Sequence, residues 1–148
     1  MRRRICVLVV LLISLGLAGP TSAQEVGGGP SGGQDSGFQL GQNYPNPFNP
    51  ETKIPFVLGE ELFADGRPVV VSMRIYNVLQ QFVAAPVALN HPGGEGVRVV
   101  ELEYPAPGRY EAYWDGTDRS GNSVASGVYF LQLVVNGRSQ VRKMFVTK

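Results

Sequence analysis

Over residues 38–148 apolar side chains recur with a period of two rather than 3.6, the mark of strands with one buried face. In Thr52–Leu58 the residues Ile54, Phe56 and Leu58 share a face and Pro55 lies on the other. Proline cannot donate a ladder hydrogen bond, so this stretch is expected to be an edge strand or the first strand of a sheet. Val69, Val71, Met73 and Ile75 alternate with Val70, Ser72, Arg74 and Tyr76. Residues 81–87 form a weaker candidate cut short by Pro86, and 97–103 set Val100 and Leu102 against Glu101 and Glu103. Residues 109–114 turn Tyr110, Ala112 and Trp114 inward, and 128–135 do the same with Tyr129, Leu131, Leu133 and Val135. A last strand over 139–147 places Met144 and Val146 on one face with Arg142, and Lys143 and Phe145 on the other. Seven strands are predicted, and no stretch of ten residues carries a helical apolar stripe.

Turn chemistry falls between these strands: Asp65-Gly66, the run from His91 to Gly94, Pro107-Gly108, Asp115-Gly116, Ser120-Gly121-Asn122 and Asn136-Gly137. Asn-Gly between two strong strands is the most specific of these and predicts a tight hairpin joining the last two. Seven short antiparallel strands at this spacing predict an all-β fold, an immunoglobulin-like antiparallel β-sandwich. It would have no disulfide, because the chain of 148 residues holds one Cys.

Composition narrows the function classes. One Cys and one His supply neither a disulfide framework nor a Cys-based zinc site. Thirteen Lys and Arg against twelve Asp and Glu give a net charge of +1, with no clustered excess to attract nucleic acid. Residues 1–23 are expected to be a signal peptide. Arg2, Arg3 and Arg4 are basic, 5–17 are apolar but for Ser14 and Gly16, and Thr21, Ser22 and Ala23 form a small-residue site with cleavage after Ala23. The apolar run is too short for the roughly 20 residues that span a bilayer. Cleavage would remove Cys6 and three arginines, leaving ten basic against twelve acidic residues, a net charge of −2, and no transmembrane segment. Residues 24–37, rich in glycine and carrying Pro30, read as a flexible linker, and 38–148 as one folded domain. On this division no residues are left for a passenger.

The least ordinary stretch precedes the first strand: Asn43, Tyr44, Pro45, Asn46, Pro47, Phe48, Asn49 and Pro50. Three prolines predict a stiff rod poor in hydrogen bonds. It could be a polyproline-like ligand, or lie along the sandwich and insert Tyr44 and Phe48 into the edge of the core. This stretch, the Ile75–Asn77 strand end, Trp114-Asp115-Gly116-Thr117, Ser126-Gly127-Val128-Tyr129-Phe130 and the run from Lys143 through Met144 to Lys148 together resemble a type A C-terminal sorting domain of the type IX secretion system. The part from Trp114 to Phe130 is also similar to the immunoglobulin-like domain of the flagellar hook-capping protein. Three departures stand out. Gln80 occupies a position where such domains have glycine, which predicts a different turn or a strained left-handed residue, 59–68 make a longer first connection, and 97–104 look like extra strand-forming material that brings the middle closer to the hook-capping version.

The resemblance implies delivery rather than chemistry. Such domains are recognised by an outer-membrane secretion translocon and trimmed by a sortase-type peptidase, moving a chain from the periplasm to the outer-membrane surface or the medium. Lys143 and Lys148 match the basic positions of the family's terminal motif, or are ordinary solvated edge charges. Alternatives are a glycan- or protein-binding sandwich module and, more distantly, a hook-capping-like structural domain. The residues imply no cofactor and no enzyme. Gly121-Asn122-Ser123-Val124-Ala125 lacks the strand–turn–helix setting and downstream His of a nucleophile elbow. His91 is expected to be a solvated loop residue. Asp115, Asp118 and Asn122 could offer oxygens to calcium, but their spacing is not that of an EF-hand and such side chains commonly cap their own turns. Glu101, Glu103 and Glu111 are carboxylates on exposed strand positions with no implied cleft.

Overall fold

The computed structural model describes residues 36–148. The signal peptide read over 1–23 and nearly all of the linker read over 24–37 lie outside the described residues. Among the described residues nine strands form: β1 (Phe38–Leu40), β2 (Thr52–Leu58), β3 (Val69–Tyr76), β4 (Phe82–Ala84), β5 (Val87–Leu89), β6 (Leu102–Tyr104), β7 (Gly108–Trp114), β8 (Gly127–Val135) and β9 (Arg138–Val146). A 3-10 turn over Glu60–Phe63 fills the long first connection. All pairings between these strands are antiparallel. One sheet has the order β1-β2-β7-β5; the other has β4-β3-β8-β9, with β6 also on the free side of β3. Two antiparallel sheets facing one core make the expected all-β, immunoglobulin-like sandwich.

The inward faces follow the alternation. Ile54, Phe56, Leu58, Ala112 and Trp114 from one sheet meet Val71, Met73, Ile75, Leu131, Leu133 and Met144 from the other, all buried. The β8–β9 hairpin runs in register from Gly127 opposite Val146 to Val135 opposite Arg138. Its loop is Asn136-Gly137 with φ of 48° and 80°, the left-handed pair that a two-residue hairpin needs.

Several expectations are corrected. β2 is not an edge strand: it lies between β1 and β7. Pro55 is tolerated there because its carbonyl and missing donor face the side where β1 has already ended, so that only Gly41 approaches it, N to Pro55 O at 2.9 Å. The single candidate at 81–87 is two strands in different sheets, β4 and β5, divided at Ala85-Pro86 where the chain changes layer. Over 97–103 only β6 forms. Val99 rather than Val100 is buried, because Val99 N bonds Pro86 O at 2.9 Å and Met73 N bonds Val99 O at 2.7 Å, which draws that residue between the layers.

Candidate functional site

The 43–50 segment is a folded cover rather than a rod. Its residues pair with both sheets. Tyr44 exchanges backbone hydrogen bonds with Lys53 in β2, both at 2.9 Å. Asn43 is buried; its Nδ2 donates to Pro45 O at 3.1 Å and Thr52 Oγ1 at 3.0 Å, and the Thr52 hydroxyl donates to Pro45 O at 3.0 Å. This buried polar pair pins the start of the segment to the start of β2. The peptide bonds before Pro45, Pro47 and Pro50 are cis.

Farther along, the segment meets the terminal strand. Phe145 N donates to Asn46 Oδ1 at 2.9 Å, Phe48 N to Phe145 O at 3.0 Å, and Thr147 N to Phe48 O at 2.9 Å, a parallel bridge along the outer edge of β9. Gln42 Nε2 donates to Lys143 O at 3.0 Å. Nearer the hairpin the side chain of Gln140 acts as a substitute peptide group for β1: Leu40 N donates to its Oε1 at 2.8 Å and its Nε2 to Phe38 O at 2.8 Å. Arg142 Nε adds a bond to Leu40 O at 3.0 Å. Polar residues on the inward side of β9 thereby close the gap between the edge strands β1 and β9, limiting the exposed edge.

The aromatic expectation holds for one residue of two. Phe48 is buried, its ring 5.4 Å from that of Trp114 at 61°, and Trp114 in turn lies 5.7 Å from Tyr129 at 65°. These are edge-to-face contacts of the favourable kind. Tyr44 instead stays on the surface, because β2 holds its backbone at the outer face, and its hydroxyl donates to Glu111. That bond pushes the Tyr44 phenol pKa up. Trp114 Nε1 donates to Thr117 O at 2.8 Å, and Tyr129 Oη to Ala125 O at 2.9 Å. Asp115 Oδ1 caps its turn by accepting from Thr117 N at 3.0 Å and Oγ1 at 2.6 Å. Gly116 has φ +74°, and a Cβ there would stand 2.4 Å from Pro50 O. The structure thus brings Phe48, Pro50, Trp114, Asp115, Gly116 and Tyr129 together. Ser126 and Gly127 are exposed at the entrance to β8 and Val128 is half-buried. On β9 Met144 is buried, while Lys143 and Lys148 are exposed. Pro45, Pro47 and Asn49 are exposed as well.

The other candidates remain dispersed. His91 is corrected from a solvated residue: its ring lies edge-on to Tyr104 at 4.9 Å, Gly93 N donates to Nδ1 at 2.9 Å, and Nε2 is therefore the proton bearer that donates to Glu103 O at 2.8 Å. The Gly-rich loop folds back onto β6, a placement set by this distant contact rather than by any local pattern. His91 bonds Gly93 and Glu103, whereas Ser123 bridges to Thr117 beyond the C-terminal end of β7, and no hydrogen bond joins the two. Among the described residues no group of three or more His, Cys, Asp or Glu is placed to hold a metal ion, and no helix is long and apolar enough to cross a membrane.

Asp118 Oδ1 accepts from Ser120 N at 2.8 Å and Asn122 N at 3.0 Å, capping the 118–122 turn. The bond from the Asn122 backbone, then that from Ser120, holds its carboxyl below the ordinary 3.8. A lowered folded-state pKa stabilises the fold above the unfolded value and loses that contribution as pH falls through the folded value. The Asp118 side-chain resonance should therefore titrate below the usual Asp range. The stability gap between wild type and Asp118→Asn should shrink on acidification from pH 5; a titration midpoint at the unperturbed Asp value would contradict this.

No curated protein and no solved structure matches the chain. Residues 70–139 match the family model of the FlgD Ig-like domain, a span from β3 into the start of β9 that holds the Trp114 and Tyr129 motifs but neither the 43–50 segment nor Lys143 to Lys148. The chain contains a FlgD Ig-like domain.

Proposed function

We propose that the sandwich is a non-catalytic sorting module, read in the periplasm by an outer-membrane secretion translocon, trimmed by a sortase-type peptidase, and destined for the cell surface or the medium. The observation that carries this reading is the clasp between the two segments that resemble sorting motifs. Asn46 and Phe48 bond Phe145 and Thr147 across about a hundred positions of sequence. A recognition tag needs a pre-formed, contiguous surface, and here residues 42–50 and 143–148 form one, with Lys143 and Lys148 exposed on it. The test is a reporter fused ahead of residues 36–148 in a host that has the type IX system. Export of the reporter to the cell surface is expected. A reporter retained in the periplasm, while an established sorting domain exports it, overturns the reading.

The family match favours a second reading, an Ig-like module built into a hook-capping assembly. That reading requires co-purification with hook components. The expected signal peptide speaks against it, since flagellar parts leave the cell by their own route.

A further inference from the structure

The outward face of β3, β8 and β9 carries a groove of about 520 Å³ lined by Tyr76, Val78, Gln80, Phe130, Gln132 and Val141, within the roughly 300–1,000 Å³ of small-ligand sites. Register places Tyr76 opposite Phe130, and Gln132 between Arg74 and Val141. A solvated sheet face is ordinarily polar. Here two rings and two valines share it, with Val78 63% and Val141 55% exposed.

Gln80 is the informative member. Its φ is 59°, a left-handed conformation that glycine adopts without penalty. The turn around it is already complete: Asn77 Oδ1 accepts from Leu79 N and Gln81 N, both at 3.0 Å, and Gln80 N donates to Asn77 O at 3.0 Å. Nothing in the turn uses the Gln80 side chain, which instead lines the groove. The second amide, Gln132, accepts from the Tyr76 hydroxyl through Oε1 at 3.4 Å, leaving its Nε2 without a hydrogen bond among the described residues.

From this arrangement we infer that the groove binds a neutral glycan, a short run of uncharged hexose units. The rings and valines match the apolar C–H faces of sugar rings, and each amide offers a donor and an acceptor to neighbouring hydroxyls. None of the six lining side chains is charged, so an ionised group entering the groove would lose hydration without a compensating partner. Arg74 and Lys143 flank the groove in the register, across from Gln132 and Phe130, but do not line it. A peptide is disfavoured because an extended chain gains affinity by pairing with a free strand edge. This groove lies on a sheet face, where the backbone groups are already engaged in the ladder.

The inference is independent of the sorting reading, since it is tested by direct binding to the purified protein. Neutral cello-, malto-, manno-, xylo- and chitohexaose are titrated by calorimetry and by amide chemical shifts. At least one is expected to bind with Kd below about 1 mM, with shifts confined to the strands and turn bearing Tyr76, Gln80, Phe130 and Gln132. Phe130→Ala and Gln80→Gly should each weaken that binding by about tenfold or more. Gln80→Gly should leave Tm unchanged or raise it, which separates loss of the amide from loss of the fold. The inference is overturned if no chain binds at millimolar concentration, if both variants bind as wild type does, if the shifts map to the β2-β7 face, or if acidic hexagalacturonate binds the groove as tightly as the best neutral chain.

Discussion

Replacing Trp114 with alanine is expected to lower the free energy of unfolding by about 3–5 kcal/mol, a large part of the roughly 5–15 kcal/mol that holds a domain together. Trp114 is only 3% exposed and is the ring that both Phe48 and Tyr129 pack against, so its removal opens a cavity at the junction of three chain segments. It also leaves Thr117 O without its indole donor. Trp114→Phe keeps ring contact and loses the hydrogen bond, a smaller change of about 1–2 kcal/mol. Urea unfolding followed by circular dichroism is the suitable measurement, because the substitution deletes the chain's single Trp as a fluorophore. An alanine variant destabilised by less than about 1 kcal/mol would remove Trp114 from the centre of the fold.

Gly116→Ala should cost about 2–4 kcal/mol through two separable effects. The left-handed φ of +74° carries a penalty of about 1–2 kcal/mol for an L side chain. The remainder comes from driving a Cβ to within 2.4 Å of Pro50 O, a backbone atom that can retreat only if the 43–50 cover shifts. Gly137→Ala is the control: φ is +80°, but nothing lies within 4 Å of its Cβ. The difference between the two variants isolates the clash. In Gly116→Ala the amides of Phe48 and Thr147 should exchange faster while the β8–β9 amides stay protected. Equal costs at the two positions would show that the close approach to Pro50 is without consequence.

Where the sequence could be read, a local cause was present. β2, β3, β7, β8 and β9 follow from strict alternation, as in Val69, Val71, Met73 and Ile75, and the hairpin follows from Asn136-Gly137. Of the two outcomes expected at Gln80, a different turn or a strained left-handed residue, the left-handed one is found. Features set by distant partners were not legible. β1 is three residues long, too short to show a period, and exists because Leu58 to Phe56 pair with it. Val99 reads no differently from Val100 until Pro86 and Met73 claim its backbone. Gln140 in an outer strand looks like any solvated residue, yet its amide bridges to β1. Of the candidate site, the residue set around Phe48 and Trp114 could be assembled from motifs, but the outward position of Tyr44 depends on the register of its backbone with Lys53.

The clasp between 42–48 and 143–147 also sets an order of events. Contacts separated by about a hundred residues are favoured only after the intervening chain is arranged, because the entropy of closing so long a loop must be offset first. The β8–β9 hairpin, closed by two residues, can form early and locally. Until Phe48 reaches Phe145, β9 is an uncovered edge able to pair with another chain. The proline-rich segment therefore acts late in folding as a guard of one edge: a nascent or destabilised molecule that has not seated it is open to edge-to-edge association through β9, and the seated molecule has that edge covered.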